Sequence, residues 1–382
     1  ADGKSILYLR SGARDINQRL YEDDLAAHQE REIITPEALL GGKAESLTAE
    51  EKARRERARI SVRGFTSFEL SRDSARILLT QSGKLYIVER ASGHVTPLPG
   101  GGWIGPKFSP DGRHIAALRD DELHVVDIAA GTDTQLTHGA NETLHHGEAE
   151  FVAQEEMDRQ DGFWWSPDSQ SLAYEEADTS PVEVHYVADP LHPQEKPVAF
   201  RYPRAGTANA KVRLGVISAG GGATVWVPWD AGAYPYLAQV TWAKGGPLSL
   251  LVQNRQQTDE KLLAAEPKTG ATRLLWTERD KAWLSLARGE ANEIPYWLTD
   301  SSGFLWMSER YGQAQLELHG RDGKLLNAVT PSGFRFEALL DVDMAARAAI
   351  VRGGMDHLSV GIYRVSLSGG ALQPLAAARG TH

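Results

Sequence analysis

Short apolar runs separated by polar turn residues follow one another along most of the chain. Runs of roughly four to eight residues bounded by Gly, Pro, Asp and Ser predict β-strands. Leu85 to Val88 and His114 to Leu118 are two clear examples. Because such runs recur from one end of the chain to the other, the pattern predicts an all-β protein.

One corner motif recurs between the predicted strands. Its clearest copy is Phe108 to Gly112 (Phe-Ser-Pro-Asp-Gly), and Trp165 to Asp168 (Trp-Ser-Pro-Asp) is a second copy. In such a corner Pro fixes φ, Asp bonds back to the local backbone and Gly takes a positive φ. Weaker copies begin at Ala1, Leu70, Trp242, Leu298 and Val342.

The spacing of these corners predicts the architecture. Units of roughly 40 to 50 residues, each with four short strands, are typical of the blades of a β-propeller. We count about seven such units along the chain. A β-sandwich with many hairpins is the alternative, but sandwiches do not repeat one corner motif this often. We therefore predict a β-propeller that occupies residues 1–382 as a single domain.

Two stretches break this rhythm. Residues 11–60 are predicted to form loop and helix, and Thr48 to Glu51 has the spacing of a capping box that begins a helix from Glu50 to Arg59. The second stretch is residues 147–161, where Glu148 to Met157 has a helical composition. We therefore expect two short helices inserted between strands. Insertions into a repeated scaffold are common places for function.

The composition excludes several classes of function. The 382 residues carry a formal net charge of -10, which argues against nucleic acid as the main partner because phosphate binding needs a basic surface. No cysteine is present, which excludes disulfides and thiolate chemistry and leaves the compartment open. No apolar run approaches the ~20 residues of a transmembrane helix. Ala1 to Lys4 predicts a turn, so we expect the chain to begin within a longer protein.

The catalytic motifs that a sequence can show do not occur here. The nucleophile elbow Gly-x-Ser-x-Gly, the zinc motif His-Glu-x-x-His and the phosphate-binding Gly-rich loop are all missing from the sequence. The 12 histidines are scattered, and the adjacent His145 and His146 would point apart on a strand. We therefore expect no metal, no cofactor and no hydrolase activity from this chain alone.

Two groups of charged residues remain as candidate binding chemistry. Glu155 and Glu156 are adjacent on the second predicted helix, and two carboxylates suit the three donors of a primary ammonium such as a peptide N-terminus. An arginine fork can bind a peptide carbonyl or carboxylate. The second group is the set of arginines on the first predicted helix, Arg54, Arg55, Arg57 and Arg59. From the residues alone, the simpler interpretation of both groups is a solvated helix face.

Three segments resemble the N-terminal propeller of the dipeptidyl peptidase IV family of serine peptidases. Phe151 to Arg159, followed by Gly162 to Asp168, is one of them, and Arg201 to Asn209 is similar to that family's Tyr-Pro-Lys-Ala-Gly segment. Glu50 to Arg59, followed by Gly64 to Phe68, most resembles the dipeptidyl peptidases eight and nine, in which an arginine-rich helix lies over the substrate site. The resemblance covers nearly the whole chain and is faint after about residue 280.

The resemblance implies a fold, a reaction and partners. The family has an eight-bladed propeller, so we expect an all-β propeller of seven to eight four-stranded blades with two short inserted helices. In the family this propeller sits on a C-terminal α/β-hydrolase domain, which carries Ser, Asp and His and removes Xaa-Pro or Xaa-Ala dipeptides from free peptide N-termini. We expect that domain to lie outside this chain. The resemblance also implies a homodimeric parent in the periplasm or secreted, with the cytoplasm as an alternative.

By position, the resemblance implies three substrate-binding residues. Glu155 and Glu156 would bind the free α-ammonium of the peptide, and Arg59 would bind the carbonyl of the second residue from the cut. Arg57 and Arg55 are substitutes for Arg59, because a register error of one helical turn is easy. No member of the catalytic triad can be assigned within this chain.

Two other interpretations stay open. The first is a free-standing propeller that binds peptides or proteins without catalysis. The second is a related propeller of the acylaminoacyl peptidase or oligopeptidase type. Those enzymes need no clamp for an ammonium group, so the adjacent Glu155 and Glu156 weigh against the second alternative.

Overall fold

Short strands and the turns between them make up most of the protein in a computed structural model. The chain divides into two compact units, of which unit 1 contains residues 1–148, 168–172 and 217–223 and unit 2 contains residues 149–167, 173–216 and 224–382. The residues that the structure describes are 3–47, 51–52, 55–56, 59–286, 294–356 and 358–375.

Three four-stranded sheets belong to unit 1. The first contains β1 (Ser5–Arg10), β2 (Asn17–Asp24), β3 (Gln29–Ile34) and β4 (Arg63–Gly64). The second contains β5 (Glu69–Leu70), β6 (Arg76–Gln81), β7 (Lys84–Glu89) and β8 (Val95–Pro97). The third contains β9 (Ile104–Phe108), β10 (His114–Arg119), β11 (Glu122–Asp127) and β12 (Thr132–Gln135), and β13 (Leu144–His146) follows it.

Four more of the described sheets lie mostly in unit 2. One sheet is built around β15 (Ser171–Asp178) and also contains β14 (Phe163–Trp165), β18 (Lys211–Ser218) and β19 (Val225–Val227). The next contains β20 (Tyr236–Thr241), β21 (Leu248–Gln253), β22 (Asp259–Ala265) and β23 (Thr272–Arg279). Another contains β24 (Tyr296–Trp297), β25 (Gly303–Ser308), β26 (Gln315–Gly320) and β27 (Leu325–Ala328). The last contains β28 (Arg335–Asp343), β29 (Ala348–Gly354), β30 (Gly361–Ser366) and β31 (Gln373–Pro374).

A separate two-stranded hairpin interrupts the sheet around β15. It contains β16 (Val184–Val187) and β17 (Val198–Arg201), which pair antiparallel with Val184 opposite Arg201. Several of its apolar side chains are exposed, among them Tyr186 at 71% and Val198 at 69%.

The recurring corner motif lies where the sequence predicts, between the first and second strands of a sheet. In the copy between β9 and β10, the Ser109 hydroxyl donates to the Asp111 carboxylate (2.6 Å) and accepts the His114 N–H (2.9 Å). The Arg113 N–H donates to the same carboxylate, and Gly112 takes φ 69°. This local bonding ties the end of one strand to the start of the next, so each copy sets one corner of a sheet.

The prediction of loop and helix for residues 11–60 is wrong where β2 and β3 lie. These strands are rich in charged residues, so they lack the apolar runs from which strands are predicted. Ion pairs satisfy many of these charges, with Arg31 2.5 Å from Glu22 and Arg10 2.6 Å from Glu30. Because exposed strand positions accept paired charges, a polar sequence forms a sheet here.

Two helices have defined bounds. The first, α1 (Pro36–Leu40), also lies in the region predicted as loop and helix; Thr35 caps its start and Gly41, at φ 58°, ends it. The second, α2 (Phe151–Glu156), lies within the predicted insertion at 147–161 and confirms it. No helix in the described part of the chain is long and apolar enough to cross a bilayer.

The helix predicted from Glu50 to Arg59 is described only in part. Residues 51–52 and 55–56 are helical, and Arg59 lies in a turn rather than in the helix. The predicted helix is therefore too long at its end. Thr48, Glu50, Arg54 and Arg57 lie outside the described residues.

Each unit has its own apolar cores. Buried side chains from neighbouring sheets form them, which fits the short apolar runs of the sequence. In unit 1 one core contains Leu78, Ile87, Trp103 and Ile115, and in unit 2 the largest contains Met157, Trp297, Phe304 and Phe334.

Candidate functional site

Helix α2 begins at an acidic cap. The Glu150 carboxylate accepts the N–H groups of Val152 (2.7 Å) and Ala153 (2.8 Å), which would otherwise have no partner in the first turn. Burial, reinforced by the negative charge of Glu175, raises the pKa of Glu150 to about 7. The carboxylate that caps the helix therefore lies in a poorly solvated environment, where burial disfavours its charged form.

One face of α2 is buried in unit 2. Ala153 and Met157 are 0% and 4% exposed, and Met157 joins the largest apolar core. At the other end of the helix, the ring of Phe151 packs edge-on against Tyr202, with 5.2 Å between ring centroids. The helix therefore packs against the sheets of unit 2.

Glu155 and Glu156 occupy the last turn of α2, and both are exposed. Within the described part of the chain, neither carboxylate has a hydrogen-bond or ion-pair partner. The structure therefore places the two predicted glutamates, consecutive and exposed, in the last turn of a helix that packs on unit 2.

The segment that follows α2 is held by Arg159. Its guanidinium donates to the buried Glu175 (2.6 Å), to the carbonyl of Leu237 (3.0 Å) and to the carbonyl of Asp161 (2.7 Å). Glu175 lies on β15 and is 0% exposed, and it also accepts the N–H of Glu150 at 2.8 Å. These contacts tie both flanks of α2 to one strand.

Sequence reasoning missed Glu150, Arg159 and Glu175 as members of the site. One signal was present: Glu175 and Glu176 interrupt the apolar run Leu172 to Ala177. A carboxylate on a fully buried strand needs a partner, so such a residue marks a buried polar network. The partners themselves could not be found from spacing, since Leu237 is far away in sequence.

The third predicted residue, Arg59, belongs to unit 1 and ends a helical segment. Its N–H donates to the carbonyl of Glu56 (3.0 Å), and the N–H of Ile60 donates to the carbonyl of Arg55 (2.8 Å). This pair of bonds, with Arg59 at φ 54°, is the Schellman arrangement, in which glycine is usual. Arg59 is exposed, and its guanidinium has no partner among the described residues.

The two substitutes for Arg59 differ in outcome. Arg55 is 8% exposed and donates to Glu45 and to Glu51, at 2.9 Å each. Its charge is already neutralised by two carboxylates, so it supports the local fold and is not available to a ligand. Arg57 lies outside the described residues.

No group of three or more metal-ligating side chains occurs among the described residues. The adjacent histidines of β13 instead pair with carboxylates. His145 lies 3.4 Å from Asp121, and the buried His146 lies 2.9 Å from Glu122.

A family profile described as "Dipeptidyl peptidase IV (DPP IV) N-terminal region" matches residues 72–382. The chain belongs to this family. As a dipeptidyl peptidase IV N-terminal region, it carries the adjacent glutamates of α2 within the matched part. Arg59 lies before the matched part.

Curated relatives of this dipeptidyl peptidase IV N-terminal region carry matching names. Human "Dipeptidyl peptidase 8" is 31% identical over 192 residues, which cover 43% of this chain and 21% of the relative. "Probable dipeptidyl peptidase 4" of Aspergillus flavus is 25% identical over 287 residues, which cover 70% of this chain and 36% of the relative. The match therefore spans well under half the length of these relatives.

A solved structure confirms the fold class. The crystal structure of Porphyromonas gingivalis dipeptidyl peptidase 4 matches 100% of this chain and 52% of its own, with a TM-score of 0.73 and 21% identity. At this identity the likeness shows the fold alone. Together with the series of four-stranded sheets, it confirms the predicted all-β propeller.

Proposed function

We propose that this chain is the substrate-binding propeller of a serine exopeptidase that releases Xaa-Pro or Xaa-Ala dipeptides from free peptide N-termini. Glu155 and Glu156 bind the α-ammonium group of the substrate. The observation that carries this proposal is the placement of both carboxylates, exposed and without a partner among the residues that the structure describes, on a helix whose buried face and flanks are fixed.

The chemistry of the pair suits an ammonium group. Adjacent carboxylates repel each other, and a cation placed between them relieves that repulsion. A primary ammonium offers three N–H donors, and charge-assisted bonds to carboxylates are roughly twice as strong as neutral ones. Glu155 and Glu156 therefore favour a peptide with a free amine over one whose amine is acylated.

Arg59 supplies a second contact in this proposal. Its exposed guanidinium binds the carbonyl of the second substrate residue, because the guanidinium always carries its charge and presents several donors. Arg55 is excluded from this role by its two carboxylate partners.

The proposal assigns the bond cleavage to another domain. A C-terminal α/β-hydrolase domain of the same parent protein provides the nucleophile, and residues 1–382 act as a single propeller domain that is inactive alone. A clamp held at a fixed distance from a nucleophile acts as a ruler, so only the bond two residues from the amine reaches the reacting group. No cofactor takes part.

The test uses the full-length protein that contains this chain and a dipeptidyl anilide with a free amine. Glu155→Gln and Glu156→Gln should each lower kcat/KM by about 100-fold, because each removes a charged partner of the ammonium. Glu142→Gln, at an exposed glutamate on a loop of unit 1, is the control. Normal turnover in both clamp variants would refute the clamp, and an absence of dipeptidyl peptidase activity in the wild type would favour the scaffold interpretation.

We also propose that the parent protein is a homodimer. The hairpin of β16 and β17 supports this, because Tyr186 and Val198 are exposed large apolar residues on a separate two-stranded element. Tyr186→Ser with Val198→Ser should shift the mass in analytical ultracentrifugation from dimer to monomer. Leu358→Ser, at a residue 90% exposed elsewhere in unit 2, is the control and should leave the mass unchanged.

A further inference from the structure

A single buried carboxylate contacts both flanks of the helix that carries the double glutamate. We propose that Glu175, together with Arg159, is the positioning element of the ammonium clamp. It fixes the place and rotation of α2, and through α2 it fixes Glu155 and Glu156. This inference rests on the proposed function, and it adds residues that do not touch the substrate.

The first contact is on the N-terminal side of α2. The N–H of Glu150 donates to Glu175 Oε1 at 2.8 Å, while the Glu150 side chain caps the first turn through Val152 and Ala153. The backbone of Glu150 is therefore bonded to β15, and its side chain is bonded to the first turn of α2. The start of α2 is fixed relative to the strand.

The second contact is on the C-terminal side. The N–H of Arg159 donates to the carbonyl of Ala153 (3.0 Å), which returns the chain to the helix. The guanidinium of Arg159 then donates to Glu175 Oε2 (2.6 Å) and to the carbonyl of Leu237 on β20 (3.0 Å). The end of α2 is thus tied to the same carboxylate and to a second sheet.

A helix of this length needs such anchoring. Isolated helices shorter than about 12 residues are marginal in water, and α2 has only the six residues from Phe151 to Glu156. Its functional residues add nothing to its stability, since Glu155 and Glu156 are exposed and without partners in the described part of the chain. The order of the last turn therefore comes from the buried face and from the contacts of the two flanks.

Burial makes these contacts stiff. The side chains of Arg159 and Glu175 are 6% and 0% exposed, so their attraction is weakly screened by solvent. Breaking a buried ion pair is strongly destabilising because it leaves an uncompensated charge in the interior. The paired geometry is therefore strongly favoured over alternatives. Pre-organisation of this kind lowers the entropy that the substrate loses when its ammonium binds.

The neighbouring residue on β15 offers a matched control. Glu176 also pairs with an arginine, Arg213, through a short contact. Glu176→Gln therefore removes the same kind of charge from the same strand while it keeps Glu175, which accepts the N–H of Glu150 and pairs with Arg159.

The experiment uses the full-length protein and two measurements. Hydrogen exchange of the amides of residues 150–159 reports the order of α2, and steady-state kinetics with a free-amine dipeptidyl anilide report the clamp. We expect Glu175→Gln to raise exchange in this segment by at least about 10-fold. We expect KM to rise by about 10-fold with kcat changed less than about threefold, because the bond-breaking groups are not touched. Glu176→Gln should change neither.

A double-mutant comparison separates positioning from general stability. When Glu155 and Glu156 are already Gln, Glu175→Gln has no clamp left to misplace, so it should add less than about twofold to KM. An equal effect in both backgrounds, or unchanged exchange at 150–159, would overturn the proposal. If the double variant at 155 and 156 itself turns over normally, the proposed function fails, and the exchange result alone then decides whether Glu175 orders α2.

Glu175→Gln can fail to fold, and Arg159→Lys then carries the test. Lysine keeps a positive charge opposite Glu175, but it lacks the fork that also reaches the carbonyls of Leu237 and Asp161. It should give an intermediate rise in exchange and in KM. Exchange and KM equal to the wild type in Arg159→Lys would contradict a positioning role for this pair.

Discussion

Glu260 and Glu278 lie directly opposite each other on β22 and β23, and both are buried, at 4% and 5% exposed. Glu278 accepts from Trp276 Nε1, Trp306 Nε1 and Ser308 Oγ, at 2.9, 3.2 and 2.7 Å. Glu260 has a weaker contact, from Gln253 at 3.4 Å. Burial, reinforced by the negative charge of the neighbouring Glu278, raises the pKa of Glu260 to about 8.

This relationship predicts how stability depends on pH. An unfolded glutamate titrates near its ordinary pKa of about 4.3, whereas folded Glu260 keeps its proton until about pH 8. Between these values the folded state binds more protons than the unfolded state, so stability falls as pH rises from about 4.5 to 8. Glu260→Gln cannot ionise, so it should raise Tm at pH 8.5 and leave Tm nearly unchanged at pH 5.

Thermal unfolding at the two pH values measures this effect. Glu150, whose pKa is raised to about 7, adds a contribution of the same sign in the wild type and in the variant, so the comparison isolates Glu260. Glu266→Gln, at an exposed glutamate in the turn after β22, serves as the control and should shift Tm little at either pH. A variant Glu260→Gln that is less stable than the wild type at pH 8.5 would show that the carboxylate is ionised and well paired.

We predict that the substitution Arg59→Gly changes stability and activity in opposite directions. A non-glycine residue in the left-handed region costs on the order of 1 kcal/mol, so Arg59→Gly should raise Tm slightly. The same variant removes the guanidinium, and kcat/KM for a dipeptidyl substrate should fall by about 10- to 100-fold. Arg63→Gly, at the start of β4, is the control for loss of an exposed arginine. Arg59→Gly with full activity would remove Arg59 from the site.

Two glycines with nearly the same φ give a test of packing in unit 2. Gly323 and Gly312 have φ of 89° and 87°, but a Cβ at 323 would overlap the carbonyl of Leu275, whereas nothing lies within 4 Å of a Cβ at 312. Gly312→Ala should therefore cost only the strain of a positive φ, about 1 kcal/mol. Gly323→Ala adds a steric clash with backbone and should lower Tm considerably more. Equal Tm values would mean that the turn at 323 is not packed as described.

The corners of the fold were predictable because their chemistry is local. Ser109, Asp111 and Gly112 bond within a few residues, so their order in the sequence carries the structure. The strands β2 and β3 were missed for the opposite reason. Their charges are satisfied by ion pairs with other strands, as between Arg31 and Glu22 and between Arg10 and Glu30, and the alternation of apolar residues that marks a strand is weak there.

The candidate site likewise has residues that could be predicted from the sequence and residues that could not. Glu155 and Glu156 are adjacent in sequence and on one short helix, so the pattern and the resemblance predicted them together. The residues that hold this helix were not predictable, because Glu175 and Leu237 reach α2 only through the folding of separate strands. Arg59 was predicted as the last residue of a helix, whereas the structure places it in the turn that ends one.

The selectivity for a free amine tests the clamp most directly. In the full-length protein, kcat/KM is measured for a dipeptidyl anilide and for the same compound with its α-amine acetylated, in the wild type and in the variant with Glu155→Gln and Glu156→Gln. The clamp predicts a wild-type preference for the free amine of at least about 100-fold, which falls to near unity in the variant. A preference that stays the same when both carboxylates are neutralised would show that the ammonium is recognised elsewhere.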